Sequence, residues 1–449
     1  MVKMFVKNEL ETFLKNRPKS KKVWEKALKV LPGGISHNIR TFGLPLIGGF
    51  PVFIKSSKGA YLKDIDDNEY IDCWNGHFAM ILGHNPPEVQ KTIKDFLVDG
   101  WHFGTNTEHQ VGLAHAIVQR NPGIEKIRFC VSGTEATMYA SRLARAFTKK
   151  RLIAKAKLGW HGANDTLSYD IGSLTNDQVS PGLPKAEQAG VLSFQINNES
   201  AFDLIKEKSR DLAAIILEPV LGGGGGFPVD LEFLKRLKED CERYGILLIF
   251  DEIITGYRFI DSFFQNEVGV IPDLTTMGKI IGGGMPIGGV GGRKDIIDLS
   301  SPEAENQVLI GGGTFSGFPL SMIAGLKTLE ILKNSLNDYE RINEEGDSLL
   351  NSLNSFFQEE KSQIIAIGYK SMVMLHALSK WIENPSMEEI FIFKDKKREA
   401  LLQLALFNRG ISGLHGLGSI SMAHTHENLL KIQETVEEVS QSVSQSEFK

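Results

Sequence analysis

Cysteine is scarce in this chain of 449 residues: Cys73, Cys130 and Cys241 lie far apart and form no CxxC pair. Three such thiols are too few for a disulfide framework and read as core residues of a reducing compartment. Long apolar runs are missing as well. The opening residues, MVKMFVKNELETFLKNRPKSKK, are broken by charge every few positions, and no 18-residue apolar stretch follows. Neither a signal-peptide core nor a membrane span is expected, and the expected location is the cytoplasm. There is no long basic block, and the formal net charge is -5. Nucleic acid and anionic membrane are therefore not expected partners, which leaves a small-molecule ligand. No Gly-x-Gly-x-x-Gly follows a strand at the head of a βαβ unit, and no Gly-x4-Gly-Lys-Ser/Thr occurs, so the nucleotide-binding readings are weak. His77 and His84 are not at ligand spacing with any acid or cysteine, and no metal site is expected. No internal repeat is found.

What is present is the composition of an ordinary soluble protein, 42% hydrophobic and 23% charged, in a chain longer than one core usually serves. Patterning divides it into an N-terminal segment with a small meander over 1–70, a large domain over 71–328 and a smaller α+β domain over 329–449. Residues 8–31 read as helix, stopped by Pro32-Gly33-Gly34. FPVFIKSSKGAYLKDIDDNEYIDC alternates as a small antiparallel meander. From about residue 109 the pattern becomes strand then helix, repeated, which predicts an α/β fold with a mostly parallel sheet wrapped by helices. Gly222 to Gly226 read as a mobile loop, and SQSVSQSEFK as a frayed polar tail.

The chemistry concentrates between Ile246 and Gly292. ILLIFDEI reads as a buried parallel strand ending on Asp251, at the edge where open α/β sheets bind ligands. Lys279 follows between Gly278 and Gly282-Gly283-Gly284, with little bulk to keep a planar ligand away. Together they suggest a Schiff-base lysine with an aspartate partner for a pyridinium nitrogen, hence pyridoxal phosphate. Singly, each has a plainer role, a helix N-cap for Asp251 and a solvated surface amine for Lys279. Ser132-Gly133-Thr134-Glu135 opens a helix and offers N–H groups and a hydroxyl to a phosphate, or is a plain capping motif. RLIAKAKLGWHGAND reads as a strand ending in Trp160-His161-Gly162, where the indole would stack on a flat ring or fill core. AAIILEPV ends on Glu218, again charged at the edge, and Gly311-Gly312-Gly313-Thr314 offers a second phosphate donor. Arg40 would clamp a substrate carboxylate or make a rim salt bridge, the two being equal on these residues. His77 is a structural polar residue first and a pocket residue second.

In order and spacing, SGTEATMYASRLARAFT, WHG, LEPV, FDEIITGYR, TMGKIIGGGMPIGG and GGTFSGFPL resemble the class III aminotransferases, which have the type I pyridoxal-phosphate fold of a large and a smaller α+β domain. Lys279 follows Asp251 by 28 positions (279 − 251), as those motifs lead one to expect. The resemblance is dense over about residues 30–330 and loose beyond. LPGGISHNIRTF and SMAHTHENLL are similar to the glutamate-1-semialdehyde 2,1-aminomutase subgroup. The resemblance implies that Lys279 binds the cofactor covalently and shuttles the proton, and that Asp251 keeps the pyridine nitrogen protonated. It places Ile253 on one ring face and Trp160 on the other, where the family usually has Tyr or Phe. His161, within WHG, and Ser132 go with the cofactor residues. Gly133 and Thr134 would take the phosphate from one subunit and Thr314 from its neighbour, so a homodimer with a shared active site is implied. Glu218 would lie beside the cofactor, with Arg40 and His77 meeting the substrate, an amino acid or amino-aldehyde; pyridoxamine phosphate is the alternate cofactor form.

Departures surround the substrate. Where the subgroup has Asn-Ser-Pro-Val-Arg this chain has Ser36-His37-Asn38-Ile39-Arg40, and its Ser-Trp-Gly-Pro stretch becomes Asn75-Gly76-His77-Phe78. Glu-Ala-Gly-Phe becomes Gly416-Leu417-Gly418-Ser419, removing an acid that balances the arginine. The expected activity is intramolecular amino transfer giving 5-aminolevulinate. Intermolecular transfer on an α- or β-amino acid is the alternative, and racemisation a third.

Overall fold

The computed structural model describes residues 2–171, 180–413 and 416–446, which fall into two units. One comprises Met1–Pro86 with Glu340–Lys449, the other Pro87–Tyr339. Among the described residues no helix is long and apolar enough to cross a membrane.

The Pro87–Tyr339 unit is built on a seven-stranded sheet. In spatial order its strands are Lys126–Cys130, Gly288–Gly292, Leu274–Gly278, Leu247–Asp251, Leu212–Leu217, Leu152–Ala156 and Val191–Phe194. Every pairing is parallel except the two made by Gly288–Gly292. The strands 212–217 and 247–251 are buried along their whole length, as continuous apolar runs covered on both faces must be. Helix Leu231–Tyr244 buries Phe233, Leu234, Leu237 and Cys241, the face its spacing predicts. Helix Gly133–Thr148 turns Ala136, Ala140 and Ala144 toward Ile216, Ile249 and Val290, and its small residues let it lie close to the sheet.

Sequence patterning treats GGVGG as the end of a glycine-rich stretch, yet Gly288–Gly292 is a strand inside the sheet. Glycine disfavours strands when considered alone. Here close approach requires it: a Cβ on Gly288 would lie 2.2 Å from the Ser132 carbonyl oxygen, and one on Gly291 2.8 Å from Ile124 Cγ2.

The other unit joins the two ends of the chain. Strands Ile54–Lys58, Tyr61–Asp64 and Glu69–Asp72 form the expected antiparallel meander, and Ile411–Ser412 adds a parallel strand to it. Gly59 and His84 exchange backbone hydrogen bonds of 2.9 and 2.7 Å, which keeps residues 71–86 with the meander. These long-range pairings put the divisions at 86 and 339, where local patterning had 70 and 328. The N-terminal helix is two helices, Val2–Asn16 and Pro18–Ala27, because Pro18 cannot continue the first and sits instead in the first turn of the second. The tail is not frayed through Ser444. Helix His426–Ser444 includes it, Val443 is buried, and Arg398 donates to the Ser444 carbonyl at 2.9 Å; residues 447–449 lie outside the described residues.

Gly288→Val tests the glycine strand. It forces a branched side chain against the Ser132 carbonyl, and a loss of about 1–3 kcal/mol of stability is expected, read as a lower urea midpoint. An unchanged midpoint would show that the approach is not a constraint.

Candidate active site

In a parallel sheet the carboxyl ends of the strands share one edge, and side chains that emerge there must find partners beyond the ladder. Strand Leu247–Asp251 ends on Asp251, Leu212–Leu217 is followed by Glu218, Leu274–Gly278 by Lys279, and Leu152–Ala156 by the turn bearing Trp160 and His161. The sheet thus gathers two carboxyls, an amine and an imidazole.

Asp251 is 2% exposed and both its oxygens are held by side chains. Oδ2 lies 2.7 Å from His161 Nδ1, and Oδ1 accepts from Thr276 Oγ1 at 2.9 Å and from the Ile253 N–H at 3.3 Å. His161 is fully buried, and that burial lowers its pKa despite the opposing pull of Asp251. A neutral ring that donates from Nδ1 leaves Nε2 as an acceptor.

Lys279 sits directly after its strand with φ +48°, a left-handed conformation that costs a non-glycine residue about 1 kcal/mol or more. Burial lowers its pKa; Asp251 and Glu218 oppose the shift, and Arg258 adds to it. An amine so displaced is more often neutral and a better nucleophile toward a carbonyl. Glu218 is pushed up to about 8 by burial, then by Asp251, against the N–H groups of Trp160 at 2.9 Å and Gly222 at 3.0 Å and the charge of Lys279. The Gly222 to Gly226 segment is therefore not a free loop. It closes a two-stranded hairpin, Val220–Leu221 with Phe227–Pro228, and Gly222 itself binds Glu218.

Ser132 caps helix Gly133–Thr148 in a reciprocal capping box with Glu135, so the capping reading holds. It leaves the N–H groups of Gly133 and Thr134, in the first turn, without intrahelical acceptors and under the positive end of the helix dipole. Ile253 rests between this turn and the lysine turn: a Cβ on Gly133 would lie 2.6 Å from its Cδ1, and one on Gly278 3.4 Å from its Cγ2. Thr134 Oγ1 accepts from the Ala163 N–H at 3.2 Å, and Thr137 Oγ1 donates to the His161 carbonyl at 2.6 Å. The helix start, the strand ends and the His161 turn are one connected cluster.

Trp160 departs from expectation in position. The strand stops at Ala156, and Trp160 stands in the turn beyond it, 42% exposed and backed by Gly223, whose Cβ would lie 2.6 Å from that of Trp160. Thr314 is exposed on the segment before helix Pro319–Leu332, next to Gly313, whose Cβ would lie 3.4 Å from Glu135 Oε1 of the capping box. Arg40 and His77 belong to the other unit. There His37 meets the His77 ring edge-on at 5.6 Å between centroids; burial, then the charge of Arg40, lowers the His37 pKa. His77 lies in a run from Asn75 to Phe78 with every φ between +50° and +66°, an unusual left-handed turn. Gly416, at the place of the missing acid, has φ +79°, and its Cβ would lie 2.5 Å from Leu375 Cβ.

Two site residues escaped sequence reading, Thr276 and Thr137. Nothing local marks Thr276: it stands opposite Asp251 through the observed register, which is offset by two residues from an alignment of the two strands at their ends.

The family model for class III aminotransferases matches residues 47–373. The chain is 37% identical to a glutamate-1-semialdehyde 2,1-aminomutase of Legionella pneumophila (strain Lens), over 93% of this chain and 96% of that protein. An omega-transaminase structure from Sphaerobacter thermophilus superposes with a TM-score of 0.85 at 29% identity, covering 94% of this chain and 97% of that one. A transaminase with PLP bound gives 0.84 at 29% identity, covering 95% and 98%.

The raised pKa of Glu218 has a stability consequence. Between the ordinary carboxyl value and about 8 the folded protein holds a proton on Glu218 that the unfolded chain has released, so this residue makes stability fall as pH rises. Urea unfolding of cofactor-free protein from pH 5 to 8 should show Glu218→Gln losing less stability with rising pH than wild type. The difference in slope should approach about 1.4 kcal/mol per pH unit at most. Parallel slopes would refute the shift.

Proposed function

The chain belongs to the class III aminotransferase family, and from that premise we propose that its sheet-edge cluster transfers an amino group within glutamate-1-semialdehyde, giving 5-aminolevulinate. It is a pyridoxal-phosphate-dependent enzyme. The observation that carries the reading is the buried Lys279 amine at the same strand edge as an Asp251 carboxylate fixed by His161 and Thr276.

The residues present fit the cofactor. When bound, pyridoxal phosphate supplies an aldehyde that captures amines and a ring that accepts the electron pair left on the substrate carbon. Lys279 Nζ would hold it covalently, and Asp251 would keep the ring nitrogen protonated. Asp251 can do so because His161 and Thr276 hold it in place, so its charge needs no rearrangement. Ser132, Gly133 and Thr134 would take the phosphate at the helix N-terminus, with Ile253 and Trp160 on the ring faces and Glu218 beside it. Lys279 Nζ, lowered in basicity by burial, is better suited than a solvated lysine to accept and return a proton. Arg40 would bind the substrate carboxylate, with His77 beside it, and Thr314 would reach the phosphate of a second copy. Support for that homodimer comes from apolar side chains in one unit: Val98, Trp101, Phe103, Val111, Leu309 and Phe315 are exposed, and His102 packs on Phe315 at 4.9 Å between centroids.

One observation favours intermolecular transfer as a second reading. The left-handed Gly416, with Leu375 against it, leaves no room for the acid that balances the arginine in the subgroup, so Arg40 would be available to the carboxylate of an α- or β-amino acid.

Lys279→Ala is expected to abolish the visible absorbance change on adding pyridoxal phosphate and to lower turnover by at least about 100-fold to 10,000-fold. Wild-type absorbance surviving in that variant would refute the assignment. Supplied with glutamate-1-semialdehyde and no keto acid, wild type should form 5-aminolevulinate; failure there, with exchange on other amino acids, would select the second reading. Leu309→Asp with Phe315→Glu should shift a dimer toward monomer in sedimentation, and an unchanged mass would place the interface elsewhere.

A further inference from the structure

Lys155 lies on strand Leu152–Ala156 and is completely buried. Burying an ammonium costs several kcal/mol unless its donors and charge are answered. Its Nζ donates to the Tyr169 carbonyl at 2.6 Å, which answers one of three donors. Facing it are Asp170 and His161 from the loop that follows its own strand, and Glu218 from the end of the neighbouring strand, whose Ile216 stands opposite Lys155 in register. Strand Val191–Phe194, on the other side, sets the uncharged Ser193 opposite it.

The loop is the point. Residues 158–170 leave and return at one place, where the Leu158 N–H donates to the Asp170 carbonyl at 2.9 Å. Leu158 and Asp170 have φ of +68° and +49°, so two non-glycine residues are held left-handed at the loop's base. The same loop touches the site at three places: the Trp160 N–H on Glu218, His161 on Asp251 and the Ala163 N–H on Thr134. Whatever fixes its base fixes those three contacts.

We infer that Lys155 is a positioning residue of the amino-transfer site: its buried ammonium clamps the loop bearing Trp160 and His161 through the Tyr169 carbonyl, and its charge favours an ionised Glu218 and an uncharged His161. The inference rests on the amino-transfer reading and adds to it a residue that does not touch the cofactor. Burial brings the Lys155 amine down to about 8, with Asp170 and Glu218 opposing, so near neutral pH it is mostly charged. Removing that charge favours the protonated forms of Glu218 and His161, and would do the same for a cofactor held beside them, while leaving in place every side chain that would bind it.

The test uses the holoenzyme with Lys155→Met, which fills the space without charge or donor, and Lys155→Gln, which retains a donor but no charge. The readouts are visible absorbance against pH, retention of pyridoxal phosphate on dialysis and thermal unfolding. Both variants should titrate at a pH higher than wild type by about half a unit or more. Lys155→Met should also release cofactor faster, and Lys155→Gln less so, because only the second can still hold the Tyr169 carbonyl. If the methionine variant does not fold, the glutamine variant carries the test through its pH midpoint. Wild-type midpoints and retention in the folded variants would overturn the inference while leaving the amino-transfer reading intact. A wild-type protein that gains no visible band with pyridoxal phosphate would overturn both.

Discussion

The hydrogen bonds to the Asp251 carboxylate are the constraint on which the site depends. A carboxylate at 2% exposure is costly unless its oxygens are satisfied, and here a buried imidazole takes one and a threonine hydroxyl the other. Each partner comes from a different strand end, and each brings further residues with it. His161 belongs to the turn that also places Trp160 on Glu218, and Thr276 lies three residues before Lys279 on the adjacent strand. Fixing one carboxylate therefore fixes the approach of two other strand ends.

Around it burial moves Glu218, Lys279 and His161 away from their ordinary values. Burial drives Glu218 toward its neutral form and Lys279 toward its own, while each opposes the other's shift. The result is a buried amine and a buried carboxyl each held nearer its neutral form than on a surface, where a lysine and a glutamate would both stay charged. The folded protein gives up stability for that arrangement, since a fully solvated Glu218 would ionise freely.

Backbone proximity is the second device. Gly133, Gly278 and Gly288 let the capped helix start, Ile253 and the lysine turn approach within van der Waals contact, and a methyl group at the first or third would collide with Ile253 or the Ser132 carbonyl. In the other unit the same principle works in reverse. A left-handed Gly416 leaves Leu375 where a side chain would go, and the left-handed turn at Asn75 to Phe78 sets His77 against His37. The strand-edge cluster and the left-handed turns at Asn75 to Phe78 and Gly416 thus lie in different units of the chain.

The sequence by itself determined the acid, the amine, the capped helix and the alternating strands and helices, because each rests on local periodicity or on motifs a few residues long. Asp251, Lys279, Glu218, Ser132 and Gly133 all lie at the ends of elements legible in that way. The tertiary structure alone decided which of these meet. Thr276 reaches Asp251 only through strand register, Gly288–Gly292 is a strand through its pairing with two others and fits beneath the helix start because its residue there is glycine, and Gly222 is held by Glu218, which turns back to it. The unit boundaries moved for the same reason: Ile411–Ser412 pairs with a strand more than 300 residues earlier, beyond any local pattern. Local propensity is written residue by residue, whereas register, close approach and burial are properties of segments distant in the chain, and they exist only once the sheet has formed.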